Sequence, residues 1–90
     1  MRLTDAQVLE QLADVGHWSI LEGKLTRRWT FTDFAAAKAF VDKLSAVAEA
    51  QNHHPDVQFG WGYVELSLFS HDVGALTARD VRLVQAIEEL

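Results

Sequence analysis

Residues 49–80, EAQNHHPDVQFGWGYVELSLFSHDVGALTARD, carry the end of one helix, two strands, a loop and the start of another helix. Pro55, the only proline, disfavours helical geometry at His54, so the preceding helix has to stop just before the pair His53-His54. Val57 to Trp61 and Tyr63 to Ser70 then read as strands, with Gly60 and Gly62 marking a bend or bulge between them. In the second of these, Val64, Leu66 and Leu68 alternate with Tyr63, Glu65, Ser67 and Phe69, which is the period of a sheet with one buried face. His71 to Ala75 forms a loop. Thr77 caps a last helix that runs through Val81, Val84, Ile87 and Leu90, with Asp80 in its first turn.

Upstream, the pattern repeats. Thr4 and Gln7 have the spacing of a capping box, and Val8, Leu9, Leu12 and Val15 follow at helical intervals, predicting a helix over about 5–14 with Gly16 as its stop. Trp18 to Leu21 and Lys24 to Phe31 read as strands joined by a tight Glu22-Gly23 turn. Arg27 and Arg28 are expected on a solvated strand edge, although Arg27 falls on the more apolar face. Thr32 or Asp33 caps a second helix to about Gln51, whose apolar stripe is Phe34, Ala37, Val41, Leu44 and Ala48, with Phe40 and Val47 beside it. The order helix, two strands, helix, two strands, helix implies an α+β fold, an antiparallel sheet covered by helices.

Ninety residues with 49% apolar content make a single domain, residues 1–90, that folds with little margin. Association into an oligomer would add to that margin. No apolar run is long enough to span a membrane, and charges in the first residues stand where a secretory signal would be hydrophobic. The absence of cysteine excludes disulfides and thiolate metal sites and is compatible with the cytoplasm. A net charge of −5 argues against a nucleic-acid partner held by a basic surface.

Chemistry concentrates in the histidines. Three of the four, His53, His54 and His71, lie at the ends of regular elements, and imidazole exchanges protons at little cost near neutrality. Glu49 precedes His53 by four residues, so a helix reaching that far would let the carboxylate orient the ring. One such acid could protonate a departing hydroxyl while a second imidazole removes a proton from the neighbouring atom; each group is typically worth ~10²–10⁴ in rate. A polar loop accounts for adjacent histidines before a proline equally simply. Glu49, His53, His54 and His71 are also candidate metal ligands, but adjacent histidines usually diverge and no HExxH spacing is present, so no metal is expected. Trp61, Tyr63 and Phe59 could stack on a flat heterocycle, or belong to the core.

The same residues resemble the pterin-4a-carbinolamine dehydratases, also known as dimerization cofactor of hepatocyte nuclear factor. The similar positions are Glu49, His53-His54-Pro55, Trp61, Val64, Leu66, Leu68, Ser70-His71, Ala75-Leu76-Thr77 and Arg79-Asp80. Trp18, Leu21-Glu22-Gly23 and Phe31-Asp33-Phe34 extend the likeness over nearly the whole chain. The resemblance implies a four-stranded antiparallel sheet with three helices on one face. It also implies a dehydratase that converts 4a-hydroxytetrahydropterin to quinonoid dihydropterin, recycling the cofactor of aromatic amino acid hydroxylases without metal or bound cofactor. By the same resemblance His53, His54 and His71 are catalytic and Glu49 supports them. Asp80, Ser70 and Trp61 border the substrate, and the protein forms dimers or tetramers. The alternatives are a protein-binding module of the same fold and an enzyme for another pterin. Ala75 stands where the family usually has glycine, which would disfavour a left-handed backbone there. Phe69 stands where small polar residues are common.

Overall fold

The computed structural model describes residues 1–90. Its elements are α1 (Asp5–Gln11), β1 (Ser19–Leu21), β2 (Lys24–Thr30), α2 (Phe34–Gln51), β3 (Asp56–Gly60), β4 (Tyr63–Leu68) and α3 (Ala78–Glu88). The four strands form one antiparallel sheet in the order β1-β2-β4-β3, so the expected α+β architecture is observed. No helix is long and apolar enough to cross a membrane.

Both hairpin turns pass through positive φ, which Gly23 and Gly62 adopt freely. Glu22 and Gly23 (φ 52° and 77°) reverse β1 into β2, and Gly62 (φ 80°) reverses β3 into β4. Phe31 N–H donates to the Gly62 carbonyl at 2.8 Å, fixing that second turn against the entrance to α2. The expected strand ends at Trp61 and Ser70 are each shorter by one or two residues, because the turn and the following loop take up the last positions. α1 stops at Gln11, a turn before the expected end, although its Thr4–Gln7 capping box forms as read.

Register fixes which side chains face the helices. Leu25 lies opposite Leu68, Arg27 opposite Leu66 and Trp29 opposite Val64. Leu25, Val64, Leu66 and Leu68 are buried under Val8 of α1 and Leu12 just after it, Ala37 and Leu44 of α2, and Val81, Leu83, Val84 and Ile87 of α3. Each fully buried aliphatic side chain contributes about 1.5–3 kcal/mol of transfer free energy, which makes this layer the main stabilising term. Phe34, expected in the stripe of α2, stays half exposed and stacks on Phe59 with ring centroids 5.5 Å apart.

Arg27 corrects the sequence reading. It belongs to the inner strand β2 and to the helix-covered face, where its guanidinium bonds to Glu88 of α3 and lies 4.6 Å over the Trp29 ring. A carboxylate and an aromatic face replace part of its lost water, while its Nε stays buried without a partner. Arg28, one residue on, points to the open face and pairs with Glu65.

Antiparallel pairing of β3 with β4 decides where the chemistry sits. Asp56, the first residue of β3, is opposite Ser67, near the end of β4. The segment before β3 and the segment after β4 therefore leave the sheet at the same end, and α3 begins there as well. His53, His54 and His71 are brought to one end of the domain by topology alone.

Candidate active site

The histidine pair is aimed by the way α2 ends. Asn52 adopts the left-handed conformation (φ 50°, ψ 42°), a role asparagine fills more readily than other non-glycine residues. Its N–H bonds to the Glu49 carbonyl and the next N–H, of His53, bonds back to the Ala48 carbonyl at 3.1 Å. That closure turns the chain off the helix axis one residue before His53. The expected i,i+4 pairing of Glu49 with His53 therefore does not form. Glu49 instead bonds to His54 Nε2, and both of these side chains are solvent-exposed.

His53 is buried and turns the other way, to Asp80 in the first turn of α3. Its Nε2 lies 2.6 Å from Asp80 Oδ1. Asp80 has no exposed surface, yet both its oxygens are engaged: the Ser70 hydroxyl donates to Oδ2 at 2.9 Å and the Thr77 N–H donates to the same oxygen at 2.8 Å. A carboxylate accepting from three donors holds its charge in place without water. An ionised Asp80 can only accept, so His53 Nε2 carries the proton in this pair. His53 Nδ1 has no protein partner and is not among the buried atoms left unpaired, so it is the nitrogen open to a ligand.

His71 lies beyond β4, exposed, with its ring 4.3 Å from the Phe69 ring; Lys24 Nζ sits 4.9 Å from the centroid of that same phenyl ring. Phe69 thus packs against both an imidazole and a cation. The loop after His71 carries its left-handed residue at Gly74 (φ 72°), so the alanine at position 75 causes no strain and is buried. Asp72 in this loop bonds to Arg79 of α3 at 2.7 Å, and that hydrogen bond lowers the Asp72 pKa below its ordinary value of 3.8 and raises that of Arg79.

The structure thus gathers His53, His54, His71 and Glu49 at one end, with two different supports: a buried carboxylate for His53 and an exposed one for His54. Ser70 and Asp80, expected to border the substrate, are wholly buried with their polar atoms used, so they stand behind His53 rather than against a ligand. Trp61, also expected there, is 74% exposed at the turn at the far end of the β3–β4 hairpin. Five strand residues, roughly 16 Å, separate it from the histidine end. Thr77, read from sequence as a helix cap and as one of the positions that carry the resemblance, joins the network through both its amide and its hydroxyl. The signal that could have found it is the acidic third residue of its capping box, Asp80, placed where a helix start is buried.

No group of three or more His, Asp or Glu is arranged to hold a metal ion; the imidazoles are divided among Asp80, Glu49 and Phe69. The two largest concavities, about 350 and 310 Å³, lie elsewhere, one under the N-terminal segment by Gly74 and one on the sheet beside Arg27 and Arg28. Their linings contain none of His53, His54 and His71.

Comparison with known proteins identifies the family of the chain. The profile of the family described as Pterin 4 alpha carbinolamine dehydratase matches residues 1–90. A Chloroflexus aurantiacus protein, provisionally named as a pterin-4-alpha-carbinolamine dehydratase, is 40% identical over 89 residues, covering 99% of this chain and 96% of its own. A Picosynechococcus protein with the same provisional name is 39% identical, covering 99% and 97%. Among solved structures, the transcriptional coactivator/pterin dehydratase of Brucella melitensis superposes with a TM-score of 0.90 at 25% identity, over 99% of this chain and 97% of that one. A pterin dehydratase-like protein described as a RuBisCO assembly factor of the alpha-carboxysome shares the fold, with a TM-score of 0.69 at 24% identity over 83% and 89%. Full-length matches in both sequence and fold leave one conclusion: the chain belongs to the pterin 4 alpha carbinolamine dehydratase family.

Proposed function

We propose that this protein is a dehydratase of 4a-hydroxytetrahydropterin, acting by histidine general acid and base catalysis. The observation that carries the reading is the His53–Asp80 pair: a ring fixed by a buried carboxylate at Nε2 and open at Nδ1, beside two further imidazoles at the same end of the domain. In its protonated form His53 can deliver the Nδ1 proton to the 4a-hydroxyl while the N5 lone pair expels water. The C4a–O bond breaks, the C4a–N5 double bond forms, and a second imidazole, His71, accepts the proton the cation must lose. The products are quinonoid dihydropterin and one water. His54, held by Glu49, serves mainly in binding the pterin. Neither step calls for a metal or a bound cofactor.

The product is the oxidised pterin that a reductase must return to the tetrahydro form, so the protein acts in cytoplasmic recycling of the cofactor of aromatic amino acid hydroxylases. It works as a homodimer or homotetramer. The exposed edge strand β3, with Val57 uncovered, supports association.

The test is a stopped-flow assay of 4a-carbinolamine decay with the native protein and with His53→Ala and His71→Ala. Acceleration that collapses in both variants is expected. No acceleration by the native protein would overturn the assignment for this pterin. One observation favours a second reading, a protein-binding module of the same fold: neither of the two concavities is lined by His53, His54 or His71. That reading expects no dependence of the decay on His53 or His71.

A further inference from the structure

Thr77, Ser70 and Asp80 form a chain of hydrogen bonds whose direction is determined by chemistry. Ser70 Oγ is 2.9 Å from Asp80 Oδ2 and 2.7 Å from Thr77 Oγ1, and Thr77 Oγ1 accepts from the Arg79 N–H at 3.2 Å. An ionised Asp80 cannot donate, so the single Ser70 proton goes to Asp80. Ser70 then has no proton left for Thr77, and the Thr77 hydroxyl has to donate to Ser70. The order is therefore Arg79 N–H to Thr77, Thr77 O–H to Ser70, Ser70 O–H to Asp80, and Asp80 to the Nε2–H of His53. All three side chains behind His53 are buried, so no water can substitute for a missing member.

The chain is anchored at both ends. Ser70 pairs as an isolated bridge with Ala75, Thr77 pairs likewise with Arg2, and the Leu3 N–H bonds to the Leu76 carbonyl at 2.8 Å. The N-terminal segment and the loop after His71 thus hold the start of α3, and the start of α3 holds Asp80.

We infer that Thr77 and Ser70 are positioning residues for His53: their hydroxyls, acting in series through Asp80, fix the ring whose free nitrogen meets the pterin. The catalytic half of this inference rests on the dehydratase reading, while the geometric half does not. Removing either hydroxyl lets the carboxylate shift within its cavity, and misplacing a reacting group by about 1 Å costs on the order of 10²-fold in rate.

The experiment uses the full chain with Thr77→Val, Thr77→Ser and Ser70→Ala. Hydrogen exchange of the His53 Nε2 proton is followed by NMR without substrate, against the Leu66 amide as a probe of the core. In Ser70→Ala the imidazole proton exchanges about tenfold faster or more than in the native protein, the factor that follows loss of one charge-assisted hydrogen bond, and in Thr77→Val, which removes a neutral bond one step further back, it exchanges roughly two- to tenfold faster. The Leu66 amide changes less. Thr77→Ser restores the native rate. In the decay assay the first two variants lose roughly ten- to a hundredfold in kcat with KM nearly unchanged, and Thr77→Ser recovers it. The inference is overturned if the Nε2 proton keeps its native exchange rate in Ser70→Ala, or if it accelerates only in step with Leu66. Should Thr77→Val fail to fold, Ser70→Ala decides alone. A protein that never accelerates carbinolamine decay would remove the dehydratase reading and leave the exchange result standing.

Discussion

Replacing Asp80 by asparagine changes one atom and, through it, the proton on His53. The Thr77 N–H can only donate, so the amide oxygen of an asparagine must occupy the Oδ2 position and its NH₂ must face the imidazole. Nε2 then has to accept, which moves the ring proton of neutral His53 to Nδ1, the nitrogen without a protein partner. Swapping a charged acceptor for a neutral amide in a buried network weakens two charge-assisted bonds on Oδ2 and reverses the third, at a cost of about 2 kcal/mol. For a chain of this length 1 kcal/mol shifts Tm by about 4–8 °C, so Asp80→Asn should melt about 8–16 °C lower. Asp80→Ala leaves three donors unpaired in a dry site and should cost about 3–5 kcal/mol, a large share of the about 5–15 kcal/mol that holds a domain together. Melting is followed by circular dichroism at fixed protein concentration, since association would make Tm depend on it. The ring tautomer is read by ¹⁵N spectra of labelled histidine. If Asp80→Asn melts within about 2 °C of the native protein and His53 keeps its Nε2 proton, the buried pair is not organising the site and the reasoning fails.

Three further expectations follow from other parts of the structure. Arg79→Ala should raise the Asp72 pKa back toward 3.8, because the Arg79 hydrogen bond is what depresses it. Since the folded value is the lower one, the pair stabilises the fold above about pH 4 and the benefit vanishes as pH falls through the lowered value; a ¹³C titration of the Asp72 carboxyl checks it, and an unmoved midpoint would refute it. Leu66→Ala, at a core position without exposed surface, should cost about 2–5 kcal/mol in chemical denaturation with little change in m-value. Gly62→Ala places a Cβ 3.1 Å from the Phe31 carbonyl at φ 80° and should cost about 1–2 kcal/mol; a neutral result would mean the turn rearranges freely.

The fold was largely legible because its signals are local. Alternation in β4, the Glu22-Gly23 turn, the Thr4 and Thr77 caps and the Pro55 stop each specify an element without reference to the others. The gathering of histidines was legible too, since an antiparallel hairpin returns position 71 to the end where position 53 began. What the sequence could not reveal was which carboxylate serves which ring. Helical spacing favours Glu49 with His53, and only the left-handed turn at Asn52 breaks that relation and hands Glu49 to His54. Arg27 was misplaced for a similar reason: its partner Glu88 is 61 residues away, and no local pattern announces it.

Asp80 shows why the supporting residues are harder to read than the reacting ones. An acidic residue three positions after a threonine cap is an ordinary helix start, stabilising by about 1 kcal/mol on a surface. Here the same carboxylate has no exposed surface and a second duty on the far side, toward His53. The two duties are compatible because a carboxylate has two oxygens: Oδ2 closes the cap and takes Ser70, and Oδ1 remains for the imidazole. A glutamate at position 80 could still close a capping box, but its longer arm would move the free oxygen away from where His53 waits. The helix cap alone would accept either acid; the histidine accepts only the shorter one. Comparing Asp80→Glu with the native protein would therefore separate the two roles, with Tm falling modestly and carbinolamine decay falling by about 10²-fold. Equal retention of both would mean that the cap is the whole of Asp80's function.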